Sequence, residues 1–397
     1  MKYTTAHFYK EFHCIGGICE DSCCENWEID LDEYSLKQYM KQGGEFGKRL
    51  KENTRVKEKQ FILNGTRCPF LNDDNLCDIF IEMGEECLCQ TCTNFPRHIE
   101  EFENLKEVSL TMSCPEASRI MLAKTEKMTF VTQEGTDEEY GLKHLPEKKS
   151  FAFWKKGNVN KLNKSLFLEL EKVRECLFEI LQNRDISIKE RAATVLLFGS
   201  KVQSCIDDRN YSGITKLVED YANPQKKEAL RQYLQSYVGD TDKKQQWMKQ
   251  VLNMYEGLET IKPEWVVLLK ESMTTMYGDV NYSNVYQEFV QDYDEKMYEF
   301  EHILVYYIFN YFLGASYDED AYTKVKFAIV SYLVILELDI ATWIKNQKQF
   351  DYDAQVFVAH AYSKEVEHSY NNFESLMLVM SAHPILDEKN ILNAVMA

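Results

Sequence analysis

The stretch "CIGGICEDSCCENW", residues 14–27, places four cysteines within eleven positions, with Cys23 and Cys24 adjacent. A cysteine used for packing behaves as a small hydrophobe and usually occurs singly. Thiols at this density ask for another explanation, and the explanation decides how the first third of the chain folds. Six more cysteines follow at 68, 77, 87, 89, 92 and 114, and only Cys176 and Cys205 lie beyond them. The chain therefore reads as a thiol-rich N-terminal module and a thiol-poor remainder. Cys176 sits at helical spacing from Leu170, Val173 and Leu177 and is expected to be core.

Disulfides need an oxidising compartment. The first residues, Met-Lys-Tyr-Thr-Thr-Ala-His-Phe, contain no apolar run of the kind a secretory signal carries, so a cytoplasmic chain with metal-binding thiols is expected. A redox switch through Cys23–Cys24 is the lesser alternative. Thiolates suit both zinc and iron–sulfur clusters. Only "CQTC", Cys89 to Cys92, has the spacing of a zinc knuckle, and the irregular spacing elsewhere leans toward a cluster. Cys68 and Cys114 are each followed by proline, as the last ligand is in bacterial ferredoxins. One [4Fe–4S] cluster or one zinc takes four cysteines, so the number present suffices for two sites, or for one site with auxiliary thiols; spacing alone does not partition them. Cys23 and Cys24 point apart in most backbone conformations and are able to serve one site each. His13 and His98 lie beside thiol groups as candidate ligands or supporting groups.

Around the thiols, local signals are short. Asp30 or Asp32 is placed to cap a helix in "WEIDLDEYSLKQYM" (27–40). In "RCPFLNDDNLCDIF" (67–80), Asn72 to Asn75 reads as a turn, and a β-hairpin there joins Cys68 to Cys77. Pro96 ends the next thiol loop, and Phe102 to Leu110 is mixed in pattern. "SCPEASRIMLAK" opens a helix with Pro115 in its first turn, a position expected to lower the pKa of Cys114.

Residues 126–163 carry glycines, Pro146 and dense charge of both signs, and read as a linker between a module at 1–125 and a helical domain at 164–397. Helical periodicity then recurs over 164–182, 188–206, 225–238, 243–257, 263–276, 284–292, 297–313, 321–346, 353–368 and 372–382. The expected fold is mainly α: a Cys-rich metal-binding module with little β, followed by an all-α bundle. "FAIVSYLVILELDIA" (327–341) holds Glu337 and Asp339 and is shorter than the roughly 20 apolar residues of a membrane span, so it reads as a buried core helix. A net charge of −18 argues against nucleic acid or an anionic membrane as a general partner, since both want Lys and Arg in excess. The run from Lys143 to Lys164 is a local basic exception, read as a solvated linker. No dinucleotide glycine fingerprint, P-loop, H-E-x-x-H or G-x-S-x-G occurs, nor the C-x3-C-x2-C of classical radical enzymes.

Taken together, "CIGGICEDSCCENWEID" (14–30), "CPFLNDDNLCDIF" (68–80), "GEECLCQTCTNFPR" (84–97) and "LTMSCPEASR" (110–119) resemble the bacterial flagellin lysine N-methylases, and also the wider CxxCxxCC zinc- or iron-chelating proteins. "LQNRDISIKERAATVLLF" (181–198) and "FEHILVYYIFNYF" (300–312) are similar to helical segments of the same methylases. The resemblance implies methylation of lysine ε-amines on flagellin, S-adenosylmethionine as donor, and an iron–sulfur cluster, with zinc as the alternative metal. Carried over by position, the implied metal ligands are Cys14, Cys19, Cys23, Cys24, Cys68, Cys77, Cys89, Cys92 and Cys114. Cys87 falls outside the pattern. No catalytic residue or donor-binding residue is named by it; Asp21, Arg97 and Glu116 lie inside the motifs and read as loop-orienting groups. The rival reading is a non-enzymatic, zinc-stabilised module whose helical domain grips a protein partner.

Overall fold

The computed structural model describes residues 1–143 and 161–397. The lysines at 148, 149, 155 and 156, and with them residues 144–160 of the expected linker, lie outside the described residues. The chain divides into two units, one comprising Met1–Met121, Thr129–Trp154 and Ser363–Ser369, the other Leu122–Met128, Lys155–Tyr362 and Tyr370–Ala397. These boundaries differ from those drawn on sequence. The expected linker contributes a strand to the first unit, and a heptapeptide from near the C-terminus belongs to it as well.

The first unit holds strands β1 (Lys2–Ala6), β2 (Thr54–Arg55), β3 (Gln60–Phe61), β4 (Arg97–Phe102), β5 (Leu105–Leu110) and β6 (Phe130–Glu134). Its helices are α1 (Glu33–Lys41), α2 (Gly44–Glu52), α3 (Asp78–Met83), α4 (Gln90–Asn94) and α5 (Pro115–Leu122). Four strands make one sheet in the order β4-β5-β1-β6. β1 runs parallel to β5, with Tyr3 opposite Lys106, and antiparallel to β6, with Tyr3 opposite Gln133. The mixed stretch from Phe102 to Leu110 is the turn and second strand of a β4–β5 hairpin, turned at Glu103 with φ +52. β6 reads as linker in the sequence because only one of its residues, Phe130, is partly covered; its ladder to β1, not an apolar face, holds it in place.

Two small apolar clusters build this unit. Ile29, Leu31, Leu36, Tyr39, Leu50, Phe61, Phe70 and Ile79 form one, with Cys68 and Cys89 buried among them. Tyr3, Tyr9, Val108, Leu110, Ala117, Tyr140 and Leu142 form the other, with Cys114. Neither is large. Arginines and lysines therefore lace the loops: Arg49 donates to Asp78 and the Pro69 carbonyl, each at 2.6 Å, and Arg67 to Glu25 at 2.6 Å.

The second unit is helical: α6 (Lys164–Leu181), α7 (Ile188–Asp207), α8 (Tyr211–Ala222), α9 (Pro224–Ser236), α10 (Thr241–Glu256), α11 (Pro263–Met276), α12 (Tyr282–Asp292), α13 (Tyr298–Tyr311), α14 (Ala315–Asp318), α15 (Ala321–Lys345), α16 (Tyr352–Glu367), α17 (Tyr370–Ala382) and α18 (Glu388–Met396). The helices start where side chains can take up orphan N–H groups. Asn163 caps α6, Ser187 and Glu190 form a capping box on α7, and Asn223 with Pro224 opens α9. α15 packs against α7, α11, α13 and α17. At 25 residues it is long and apolar enough to cross a membrane, yet 89% of its most apolar window is buried inside the protein. It is the core helix that its periodicity suggested. α8 and α18 have no counterpart among the sequence-read helices. Ile214 is the one buried residue of α8, too little to raise a period.

Candidate thiol-centred site

Several of the cysteines sit at the starts of turns or short helices, where backbone N–H groups lie close to sulfur. The sulfur of Cys68 accepts hydrogen bonds from the backbone N–H groups of Phe70 and Leu71. Cys77 is the N-cap of α3, and the backbone N–H groups of Phe80 and Ile79 act on its thiol to lower its pKa, without a capping hydrogen bond from the side chain. Cys114, before α5, accepts from Glu116 and Ala117. Cys89 is the N-cap of α4, and its sulfur contacts that of Cys92 rather than accepting a capping bond from the backbone. Exposed Cys14 accepts from the Gly16 N–H at 3.4 Å. Amides two and three residues on, aimed at a sulfur, stabilise a thiolate; a thiol used only for packing gains little from them.

Burial works against those amides. It pushes the Cys68 and Cys114 thiols up to about 12 each. The lowering expected for Cys114 from its helix start is thus outweighed, because the sulfur is taken out of water before any cation compensates it. Cys89 and Cys92 share a hydrogen at 3.4 Å, and that bond sets Cys89 as the partner held low and Cys92 as the one held high.

Which sulfurs neighbour which is a matter of tertiary structure. Cys92 lies within electrostatic reach of Cys89, Cys24 and Cys68, and Cys68 within reach of Cys77 and Cys89. Cys114 instead neighbours Cys19 and Cys23. Cys23 and Cys24 do not point apart: their side chains hydrogen-bond, as adjacent residues in a turn are able to do. All the cysteines are free thiols. Among the described residues no three thiol, imidazole or carboxylate side chains stand close enough to ligate a single ion.

Supporting groups hold the loops. Asp32, not Asp30, caps α1, accepting from Ser35 N at 2.8 Å; its other oxygen accepts from Gln90 N at 2.8 Å at the start of α4. Lys143 donates to Ser35 Oγ, to the Glu86 carbonyl and to that of Leu88, and its ammonium lowers the Cys89 pKa. The expected hairpin from Cys68 to Cys77 reduces to a single bridge, Leu71 to Cys77. Asn72 takes the strands' place, its side chain accepting from Asp74 N and Leu76 N at 3.0 Å each. Arg97 ties Tyr9, Tyr140 and Thr93 together, and Glu116 binds Arg119 at 3.1 Å. His13 contacts the Glu11 carbonyl, and His98 lies in β4 beside Glu100.

The sequence reading did not find two members of this site. Lys364 forms a 2.8 Å ion pair with Asp21, with only 3% of its side chain exposed, and its charge partly offsets the Cys24 hydrogen bond and the burial that hold the Cys23 thiol well above its usual range. His368 packs its ring 4.1 Å from that of Trp27 and 5.4 Å from that of Phe95. Trp27 in turn donates its indole N–H to the Cys23 carbonyl at 2.5 Å. All three rings are half-buried and form an aromatic face beside the thiols. Their spacing in sequence gives no signal, since Lys364 and His368 read as part of a C-terminal helix.

The helical unit has polar centres of its own. Glu337 accepts from Tyr277 at 2.9 Å and Tyr282 at 2.8 Å, and buried Lys244, lowered to about 7 by desolvation, lies 3.5 Å over the Tyr286 ring. Glu301 accepts from Arg191 at 2.6 Å and Arg184 at 2.9 Å. A groove of about 460 Å³ runs along Val267, Leu268 and Phe357, with the Glu271–Lys345 pair at its edge.

Residues 174–392 match the family model described as the FliB lysine N-methylase C-terminal domain. The flagellar biosynthetic protein FliU of Salmonella muenchen is 31% identical over 142 residues, which is 32% of this chain and 84% of that protein. The lysine-N-methylases of Salmonella typhimurium and Salmonella choleraesuis are each 29% identical over 136 residues, again 32% of this chain. The matched stretch spans 34% of those two lysine-N-methylases, about a third of their length. No solved structure matches the chain.

Proposed function

The chain belongs to the FliB lysine N-methylase C-terminal domain family, and from that premise we propose that it is a protein lysine N-methyltransferase. In this reading it works in the cytoplasm, takes its methyl group from S-adenosylmethionine, and acts on surface lysines of flagellin. The observation that carries the proposal is the pairing, in one chain, of the family's helical domain with sulfurs that receive backbone N–H groups. The names of the related lysine-N-methylases and of FliU support the reaction class and the flagellar target.

Ligands for a [4Fe–4S] cluster would come from Cys14, Cys19, Cys23, Cys24, Cys68, Cys77, Cys89, Cys92 and Cys114. The donor set fits such a group: soft thiolates, amides directed at sulfur, and nearby ammonium groups on Lys143 and Lys364 to offset negative charge. A bound cluster supplies Lewis-acid iron and a one-electron couple.

The remaining chemistry falls to the chain. A lysine ammonium, with pKa about 10.4, has no lone pair and must lose its proton before attack. Its nitrogen then bonds to the methyl carbon while the carbon–sulfur pair leaves with sulfur, giving a neutral thioether. The sulfonium that precedes it is a cation, and the Trp27–Phe95–His368 rings offer a face for it. Purified protein incubated anaerobically with flagellin and methyl-labelled donor is expected to label flagellin lysines. No label, with the metal centre intact, overturns the proposal. Trp27→Ala is expected to raise the KM for the donor about tenfold, about 1.4 kcal/mol, with metal content unchanged.

A further inference from the structure

We infer that an exposed apolar patch on the N-terminal unit, made by Ile18, Leu76, Phe80 and Ile81, is a docking surface for a lysine-rich segment of a protein partner that carries apolar residues between its lysines. The inference rests on the proposed function only in taking that partner to be the protein whose lysines are methylated.

The patch starts from local sequence. α3 reads "DIFIEM" (78–83). Ile79 and Met83, four residues apart, share a helix face and pack into the cluster of Tyr39 and Phe70. Phe80 and Ile81 are left on the other side, 49% and 56% exposed. Leu76, just before the helix, is 43% exposed. Gly17 brings a fourth residue to it. A Cβ at Gly17 would stand 2.6 Å from the Asp74 carbonyl oxygen and 3.4 Å from Leu76 Cδ2, so the 16–18 turn lies directly on the 74–76 turn. Ile18, at the end of that turn, is 83% exposed. Exposed apolar residues scattered singly are ordinary, whereas four large ones on two adjoining segments mark an interaction surface.

Charge selects the occupant. Between Arg67 and Arg97 the chain has no Lys or Arg and six carboxylates, Asp73, Asp74, Asp78, Glu82, Glu85 and Glu86. Asp78 is taken by Arg49 at 2.6 Å. The other five are exposed, and among the described residues they form no ion pair. Lys143 comes near, but its ammonium donates to the Ser35 hydroxyl and to the carbonyls of Glu86 and Leu88. Uncompensated negative charge therefore rims the patch. A second copy of this chain would bring the same rim, and a net charge of −18, against it. Nucleic acid and anionic lipid are repelled in the same way. A lysine side chain matches both features. Its four-carbon stem lies along apolar surface while its ammonium reaches the carboxylates beyond, and the exposed Phe80 ring attracts the cation as well. Ile18 precedes Cys19 and Leu76 precedes Cys77, so a docked segment is held beside the thiol-centred site.

The test uses the full chain and a fluorescein-labelled peptide of alternating lysine and leucine, with its glutamate-for-lysine counterpart. The lysine peptide is expected to bind and the glutamate peptide not. Phe80→Ser/Ile81→Ser and Glu82→Lys/Glu85→Lys change exposed side chains and are expected to keep the melting temperature while weakening the lysine peptide about tenfold each. Glu175→Lys/Glu228→Lys makes the same charge change on exposed positions of the helical unit and is expected to weaken it by less than about twofold. Patch variants that bind like the unaltered chain, or a control pair that weakens binding as much as they do, overturn the docking surface. With flagellin and labelled donor, the patch variants are expected to raise the KM for flagellin about tenfold with kcat and the KM for the donor unchanged. An unchanged KM for flagellin overturns the assignment of the methylated protein to this surface. A chain that binds the peptide through the patch yet labels no flagellin overturns the methylase reading and leaves the docking surface standing.

Discussion

Glu299 illustrates what burial does to one side chain. It lies in α13 with 1% of its surface exposed; Tyr293 donates to it at 2.5 Å, and burial raises its carboxyl to about 7. An unfolded glutamate titrates near 4.3. The folded state therefore binds more protons than the unfolded between those values. The stabilisation is fully present below about pH 4.3 and is lost as pH rises through about 7, a change of about 4 kcal/mol. Glu299→Gln removes this titration. Urea unfolding at pH 5 and pH 8 is expected to show a smaller difference in the variant, with higher stability at pH 8. Asp339, also raised by burial and facing Glu299, keeps part of the slope, and Lys296 opposes it. A variant whose stability falls with pH as steeply as the unaltered protein's refutes the assignment. The Cys23–Cys24 pair teaches the same lesson differently: sequence supplies the adjacency, but the turn decides that their sulfurs touch.

Among the elements, Asp32 carries two helix starts on one carboxylate, those of α1 and α4. Asp32→Ala leaves both amides without this acceptor, and at about 1 kcal/mol per cap the expected loss is about 2 kcal/mol by urea unfolding. Asp32→Asn, with one acceptor oxygen, is expected to recover about half. Full stability in the alanine variant would mean that α4, and with it the Cys89–Cys92 turn, is held by something else. In the helical unit, Gly199 lets α7 and α15 approach closely: a Cβ there would lie 2.9 Å from Val325 Cγ2 and 3.1 Å from Cγ1. Alanine gains about 1 kcal/mol in helix propensity and loses about 1–3 kcal/mol to overpacking. Gly199→Ala is therefore expected to destabilise by about 1 kcal/mol, and Val325→Ala added to it to relieve the clash, read by thermal melting of the single and double variants. The capping residues that start these helices are local signals that the periodicity reading passed over: Asn163, Ser187 with Glu190, and Asn223 with Pro224 each stand in the sequence where the helix begins.

Across the whole molecule the two units differ in what holds them. α15 is buried along nearly all its length among apolar neighbours, whereas the thiol unit has two small clusters and many polar ties. Thiolate metal sites contribute roughly 10–16 kcal/mol to folding in zinc peptides, more than such clusters supply. Hydrogen exchange on the intact protein, before and after chelation, is expected to show the amides of Phe70, Leu71, Ile79, Phe80, Glu116 and Ala117 losing protection by about tenfold or more, while α15 keeps its own. Equal loss in α15 would mean that metal removal unfolds the chain as one piece.

The sequence by itself determined most helices of the second unit, though not α8, α14 or α18, together with the core role of Cys176 and the concentration of thiols, because each depends on residues within a few positions of one another. It did not reveal that residues 130–134 close a sheet, that Cys68 and Cys77 join through an Asn72 turn, or that Lys364 and His368 come to lie beside Asp21 and Trp27. Those contacts link segments far apart in the chain, and no local pattern of charge or hydrophobicity encodes them. Only tertiary folding brings a distant ammonium to a buried thiol, because only in the folded chain is that thiol's environment dry enough to need one.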